Sequence, residues 1–128
     1  MLTETNIPNE GIASGEKLYD LCMIEKLCRG NQEQVKQMLH VFIDQVPKAV
    51  EEIRLAYREN DFDKVKKAAH RIKPVLSFYA VIKIEEEIRM IESAASLLSQ
   101  SEFEYTLAKV DTVITHIVAQ MKNTFLYQ

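Results

Sequence analysis

The chain has 128 residues, enough for one compact domain and too few for two comfortable ones. Its 47% hydrophobic content and net charge of −3 exclude a disordered chain, and three glycines and three prolines are too few to turn a many-stranded sandwich or barrel. No apolar run approaches the ~18 residues of a membrane span, and MLTETNIPNEG lacks the basic flank and apolar core of a secretory signal, so the expected location is the cytoplasm.

Residues 1–15 show no sustained period and are read as a flexible N-terminal tail, with residues 16–128 forming a single helical domain. From Glu16 onward apolar residues recur every three or four positions. A first short helix is expected over Glu16–Arg29, with Leu18, Leu21, Cys22 and Leu27 on one side and Gly30 as its terminator. Asn31 then caps a long helix, with Gln34 completing a capping-box pattern. The stripe Val35, Met38, Leu39, Phe42, Val46, Val50, Ile53 and Tyr57 carries that helix to about Glu59. Pro47 removes a backbone donor, which predicts a kink or short break near Gln45–Pro47.

Asp61 is the expected N-cap of a helix from Phe62 to about Ala80, striped by Phe62, Val65, Ala69, Ile72, Leu76 and Tyr79. A fourth segment carries Ile84, Ile88, Ile91, Ala95 and Leu98. Ser101 with Glu104 reads as a capping box opening the last helix, which buries Phe103, Leu107, Val110, Ile114, Ile117 and Met121. The pattern predicts an all-α fold, an antiparallel four-helix bundle with a short additional N-terminal helix.

The polar residues carry little metal or redox chemistry. Cys22 and Cys28 lie six apart, neither a Cys-x-x-Cys pair nor a zinc half-site, and are read as buried free thiols. Three residues before His40, His70 and His116 stand Gln37, Lys67 and Val113, so the Glu-x-x-His pattern of di-iron bundles is missing and no metal centre is expected. Glycine-rich phosphate loops and Gly-x-Ser-x-Gly elbows are absent too. His40 and His116 sit beside apolar neighbours and are read as structural or solvent-edge residues.

His70 differs by its phase. At ~100° per residue it projects about 140° from the apolar stripe of its helix. Lys66, Lys73 and Ser77 share its side. On phase alone it is either a solvated surface histidine or a nucleophile open to a phosphoryl donor. Neutral imidazole is a good nucleophile, neighbouring ammonium groups favour that neutral form, and a lysine can hold a phosphoryl group by charge-assisted hydrogen bonds.

The run Ala69-His70-Arg71-Ile72-Lys73, inside AAHRIKPVLSFYA, resembles the motif of histidine-containing phosphotransfer (HPt) domains of bacterial and eukaryotic phosphorelays. The stretch FIDQVPKAVEEIRLAYRENDFDKVKKAAH is similar to that family in its Phe, Pro, apolar repeat, Asp and Ala-His. The likeness covers roughly residues 16–98, and the last helix fits by pattern only. It implies a four-helix bundle in which His70 is the phosphoacceptor and Lys73 stabilises the phosphate. The family usually has glycine after the lysine, where this chain has Pro74, Val75 and Leu76, and often glycine where Ala80 stands. Pro74 in mid-helix costs about 3 kcal/mol unless the helix bends, so a bent rather than terminated helix is expected.

The same resemblance implies a phosphocarrier rather than an enzyme, binding no cofactor itself. Its partners would be response-regulator receiver domains or a hybrid histidine kinase, with Mg²⁺ held by the receiver. Lys66, Arg71, Pro74, Ser77 and Phe78 are the expected partner-binding residues. Phe78 lies outside the stripe, and two readings stand for it: an exposed anchor, or a ring turned into the core by Pro74. The five basic residues Lys64, Lys66, Lys67, Arg71 and Lys73, with no acid between Lys64 and Lys73, would steer an acidic receiver pocket. The overall acidity argues against nucleic acid, and a monomer is expected. A non-catalytic adaptor that binds a receiver or kinase through the same face is the alternative function.

Overall fold

The computed structural model describes residues 16–126, and the expected tail over residues 1–15 lies outside the described residues. Five α-helices follow in order: α1 Cys22–Leu27, α2 Gln32–Arg58, α3 Phe62–Phe78, α4 Glu85–Ala94 and α5 Gln100–Met121. A 3₁₀ turn, Ala95–Leu97, follows α4, and a π-helical turn, Lys122–Leu126, follows α5. The described residues contain no strand, and none of their helices is long and apolar enough to cross a membrane.

The bundle closes as a ring. α2 packs on α3 and α5, and α4 packs on the same two helices. Neighbours run antiparallel, as loops of a few residues require: Arg71 of α3 reaches Glu52 of α2 at 2.6 Å, whereas Tyr79, just past α3, donates its hydroxyl to the Met38 carbonyl at 2.7 Å. Buried side chains fill the interior from every helix, including Leu39, Phe42 and Ile53 of α2, Ile72 of α3, Ile91 of α4 and Ile114 of α5. Tyr57 stacks on Phe103 with ring centroids 3.7 Å apart and nearly parallel planes, joining α2 to α5.

Several local expectations change. α1 spans only Cys22–Leu27, because residues 16–21 run as an irregular strap tied to other elements. Gln120 of α5 donates to the Glu16 carbonyl at 2.6 Å, and the Asp20 amide donates to the Tyr79 carbonyl at 2.9 Å. Leu18, Tyr19 and Leu21 are buried by this strap, whereas Cys22 and Leu27 face solvent. Cys28 is the buried thiol, and both cysteines are free. Gly30 takes φ 77°, the left-handed conformation that ends the first helical turn region without strain.

α2 runs unbroken from Gln32 through Pro47 to Arg58. Its packing outweighs the one lost backbone donor, so the expected break is absent. Asn31 caps α2 by accepting from the amides of Glu33 and Gln34. α5 begins two residues before the expected point, with Ser99 as its cap. Ser99 Oγ accepts from the Glu102 amide at 3.1 Å, and Glu102 returns a carboxylate to the Ser99 amide at 2.9 Å. Both Ser-x-x-Glu pairs fit the pattern; the earlier one wins because it sets Leu98 against the core just before the cap and buries Phe103 just after it, the arrangement of a hydrophobic staple.

Candidate functional site

α3 begins where Asp61 accepts a hydrogen bond from the Lys64 amide at 3.1 Å. Val65, Ala68, Ala69, Ile72 and Leu76 bury its inner face. The small side chains of Ala68 and Ala69 let α3 sit close to its neighbours while the adjacent His70 points outward. His70 is the exposed residue that its phase predicts: its side chain keeps 76% of its accessible surface.

The imidazole is held from one edge. Nδ1 of His70 lies 2.6 Å from Oε2 of Glu92, a residue of α4. The other carboxylate oxygen, Oε1, accepts from Lys73 Nζ at 2.7 Å. Glu92 itself is largely covered, its side chain 12% exposed against 45% for Lys73. The Lys73 hydrogen bond, aided by that from His70, holds the Glu92 carboxyl below its ordinary value against the opposing effect of partial burial. A carboxylate at Nδ1 favours the tautomer with the proton on Nδ1 and the lone pair on Nε2, the nitrogen at the ring's far edge.

Glu92 is the residue that reading the sequence misses. It stands next to Ile91, inside a stripe of apolar residues, and periodicity assigns the stripe without saying which turn of α4 faces which turn of α3. The only sequence signal is a lone acid in IESAAS, amid small and apolar neighbours.

The remaining expected site residues divide. Lys66, Arg71, Pro74 and Ser77 are exposed. α3 continues through Pro74 to Phe78, so the proline does not terminate it, and the His70 carbonyl has no backbone donor at the position Pro74 occupies. Phe78 is half-buried, packed against the core and edge-on to Tyr79 with centroids 6.0 Å apart. That contact favours the core reading over a free aromatic anchor.

The basic run is partly neutralised, from within α3 and from its neighbours. Lys67 pairs with Asp63 at 3.0 Å, Arg71 with Glu52 at 2.6 Å, and Lys73 with Glu92 at 2.7 Å. Lys64 and Lys66 make no ion pair among the described residues. Between α3 and the α4 end, a groove of about 290 Å³ is lined by residues that include Phe62, Lys66, Glu92 and Ser93.

The other two histidines form no comparable site. His40 is exposed on α2, and half-buried His116 turns Nδ1 to the Thr112 carbonyl at 2.8 Å within its own helix. Among the described residues no three His, Cys, Asp or Glu side chains gather as metal ligands would.

The family model described as Hpt domain matches residues 37–124, which extends past the likeness seen in the motif and takes in the last helix. Comparison with curated proteins and with solved structures returned no match.

Proposed function

The chain belongs to the Hpt domain family, the phosphocarriers of two-component signalling, and from that premise we propose that His70 accepts a phosphoryl group from a receiver aspartate and hands it onward. The single observation that carries this reading is the exposed imidazole fixed through Nδ1 by Glu92 at 2.6 Å. With the proton on Nδ1, the Nε2 lone pair attacks phosphorus. The Nε2–P bond forms as the bond from phosphorus to the receiver's carboxylate oxygen breaks, and the aspartate leaves as a carboxylate. The proton stays on Nδ1, and Glu92 offsets the positive charge that the ring gains, as a carboxylate does for an imidazolium elsewhere. Onward transfer is the same step reversed, at a second receiver.

Lys73, which the family pattern assigns to the phosphate, keeps Glu92 ionised and placed. The chain is a carrier and not an enzyme. Mg²⁺, bound in the partner's receiver domain, supplies the charge stabilisation at the aspartate, and this chain binds no cofactor. Receiver domains and a hybrid histidine kinase are the partners, docking over Lys66, Arg71, Pro74 and Ser77 in the cytoplasm, with the carrier acting as a monomer. His70→Gln tests the assignment: the variant keeps receiver binding and loses acid-labile phosphate and relay. An adaptor acting through the same face would keep its signalling output in that variant.

A further inference from the structure

Of the five cations of α3, the one that the family pattern assigns to the phosphate is already engaged. Lys73 Nζ donates to Glu92 at 2.7 Å, and the carboxylate it serves is also the one that fixes the imidazole. Moving that ammonium onto a phosphoryl group would give up its hydrogen bond to Oε1 of Glu92, and with it the contact that holds the ring-orienting carboxylate in place. Arg71 and Lys67 are committed to Glu52 and Asp63. Lys64 makes no ion pair but stands about 120° around the helix from His70.

Lys66 remains. It is exposed and makes no ion pair among the described residues. It precedes His70 by four residues, so it stands about 40° from it around the axis and one turn below it, the spacing at which helical side chains meet. Side chains lean toward the helix N-terminus, which tilts the His70 ring over the turn that carries Lys66. Lys66 also lines the same groove as Glu92 and Ser93.

We infer that Lys66 is the cation that meets the phosphoryl group on His70, a task the family pattern places on Lys73, and that Lys73 acts as a positioning residue through Glu92. The inference rests on His70 being the phosphoacceptor. No step of the transfer changes: Nε2–P forms, the donor's bond to phosphorus breaks, and the Lys66 ammonium donates to a phosphoryl oxygen without losing its proton.

The test uses phosphoramidate as a small donor that needs no partner: Nε2 attacks phosphorus and ammonia leaves. Phosphohistidine formation and its lifetime are followed by ³¹P NMR on the full chain and on Lys66→Gln, Lys66→Arg, Lys73→Gln and His70→Gln. Lys66→Gln is expected to slow labelling or shorten the lifetime about fivefold, with Lys66→Arg restoring most of the loss. Lys73→Gln should instead change the balance of ring tautomers read by ¹⁵N shifts. Equal labelling and lifetime in Lys66→Gln and the unaltered chain overturn the inference while leaving His70 as acceptor. Undiminished labelling of His70→Gln overturns both.

Discussion

Glu92 and His70 meet across the α3–α4 interface, carboxylate Oε2 to imidazole Nδ1, at 2.6 Å. The contact ties the His70 ring to a second helix, so the nucleophile's orientation depends on bundle packing as well as on α3. It also decides which ring nitrogen is left with a lone pair. Removing the carboxylate frees the ring to rotate and to adopt the other tautomer. In Glu92→Ala, ¹⁵N NMR should show the Nδ1–H form losing its dominance, and phosphorylation of His70 should slow by about tenfold, on the scale of a lost charge-assisted hydrogen bond. An unchanged tautomer ratio would mean that Glu92 does not set it.

The pairing also fixes a pH dependence. Glu92 is held below the ordinary 4.5 chiefly by the Lys73 hydrogen bond. A carboxyl depressed on folding contributes stability above its unfolded value, and that contribution is lost as pH falls through the folded value. A ¹³C titration should therefore place Glu92 below 4.5, and Lys73→Met should raise it. Acid below that range should disorder the His70 ring before the bundle unfolds.

The α3–α4 turn carries a strained residue. Ala80 sits at φ 54°, the left-handed region, where a Cβ meets the following carbonyl. Glycine removes that clash and gives back part of the gain in backbone entropy. Ala80→Gly should stabilise the bundle by about 1 kcal/mol, a rise in Tm of about 3–5 °C. A lower Tm would show that the methyl group makes a compensating contact.

Tyr79 ties the same turn to α2. It is buried, and its hydroxyl donates to the Met38 carbonyl at 2.7 Å. Burial, helped by the nearby Cys28, pushes its phenol up to about 12 from 10.0. Unfolded chains then lose this proton first, so stability falls as pH rises from 10.0 toward 12. Tyr79→Phe should cost about 1 kcal/mol near neutral pH and flatten that alkaline decline in a denaturant series.

The helices were legible because their stripes are. Val65, Ala69, Ile72 and Leu76 are buried where 3.6-residue periodicity puts them, and the same phase exposes His70. Ends were less legible. Two overlapping Ser-x-x-Glu patterns compete at the start of α5, and only the packing of Leu98 and Phe103 selects Ser99. The strap at residues 16–21 has helical spacing but is tied down in an irregular path by Gln120, 104 residues away from Glu16, and by the Tyr79 carbonyl. Within the site, α3 supplied His70, Lys66 and Lys73 to the eye. Glu92 stayed hidden, because no local pattern fixes the rung on which two helices meet.

The most direct measurement incubates the chain with a phosphorylated receiver domain and Mg²⁺, then maps acid-labile, alkali-stable phosphate by peptide mass spectrometry. Phosphate on the peptide bearing His70, absent from His70→Gln, is the predicted result. A chain that stays unlabelled, or one that carries the phosphate on another residue, would contradict the account.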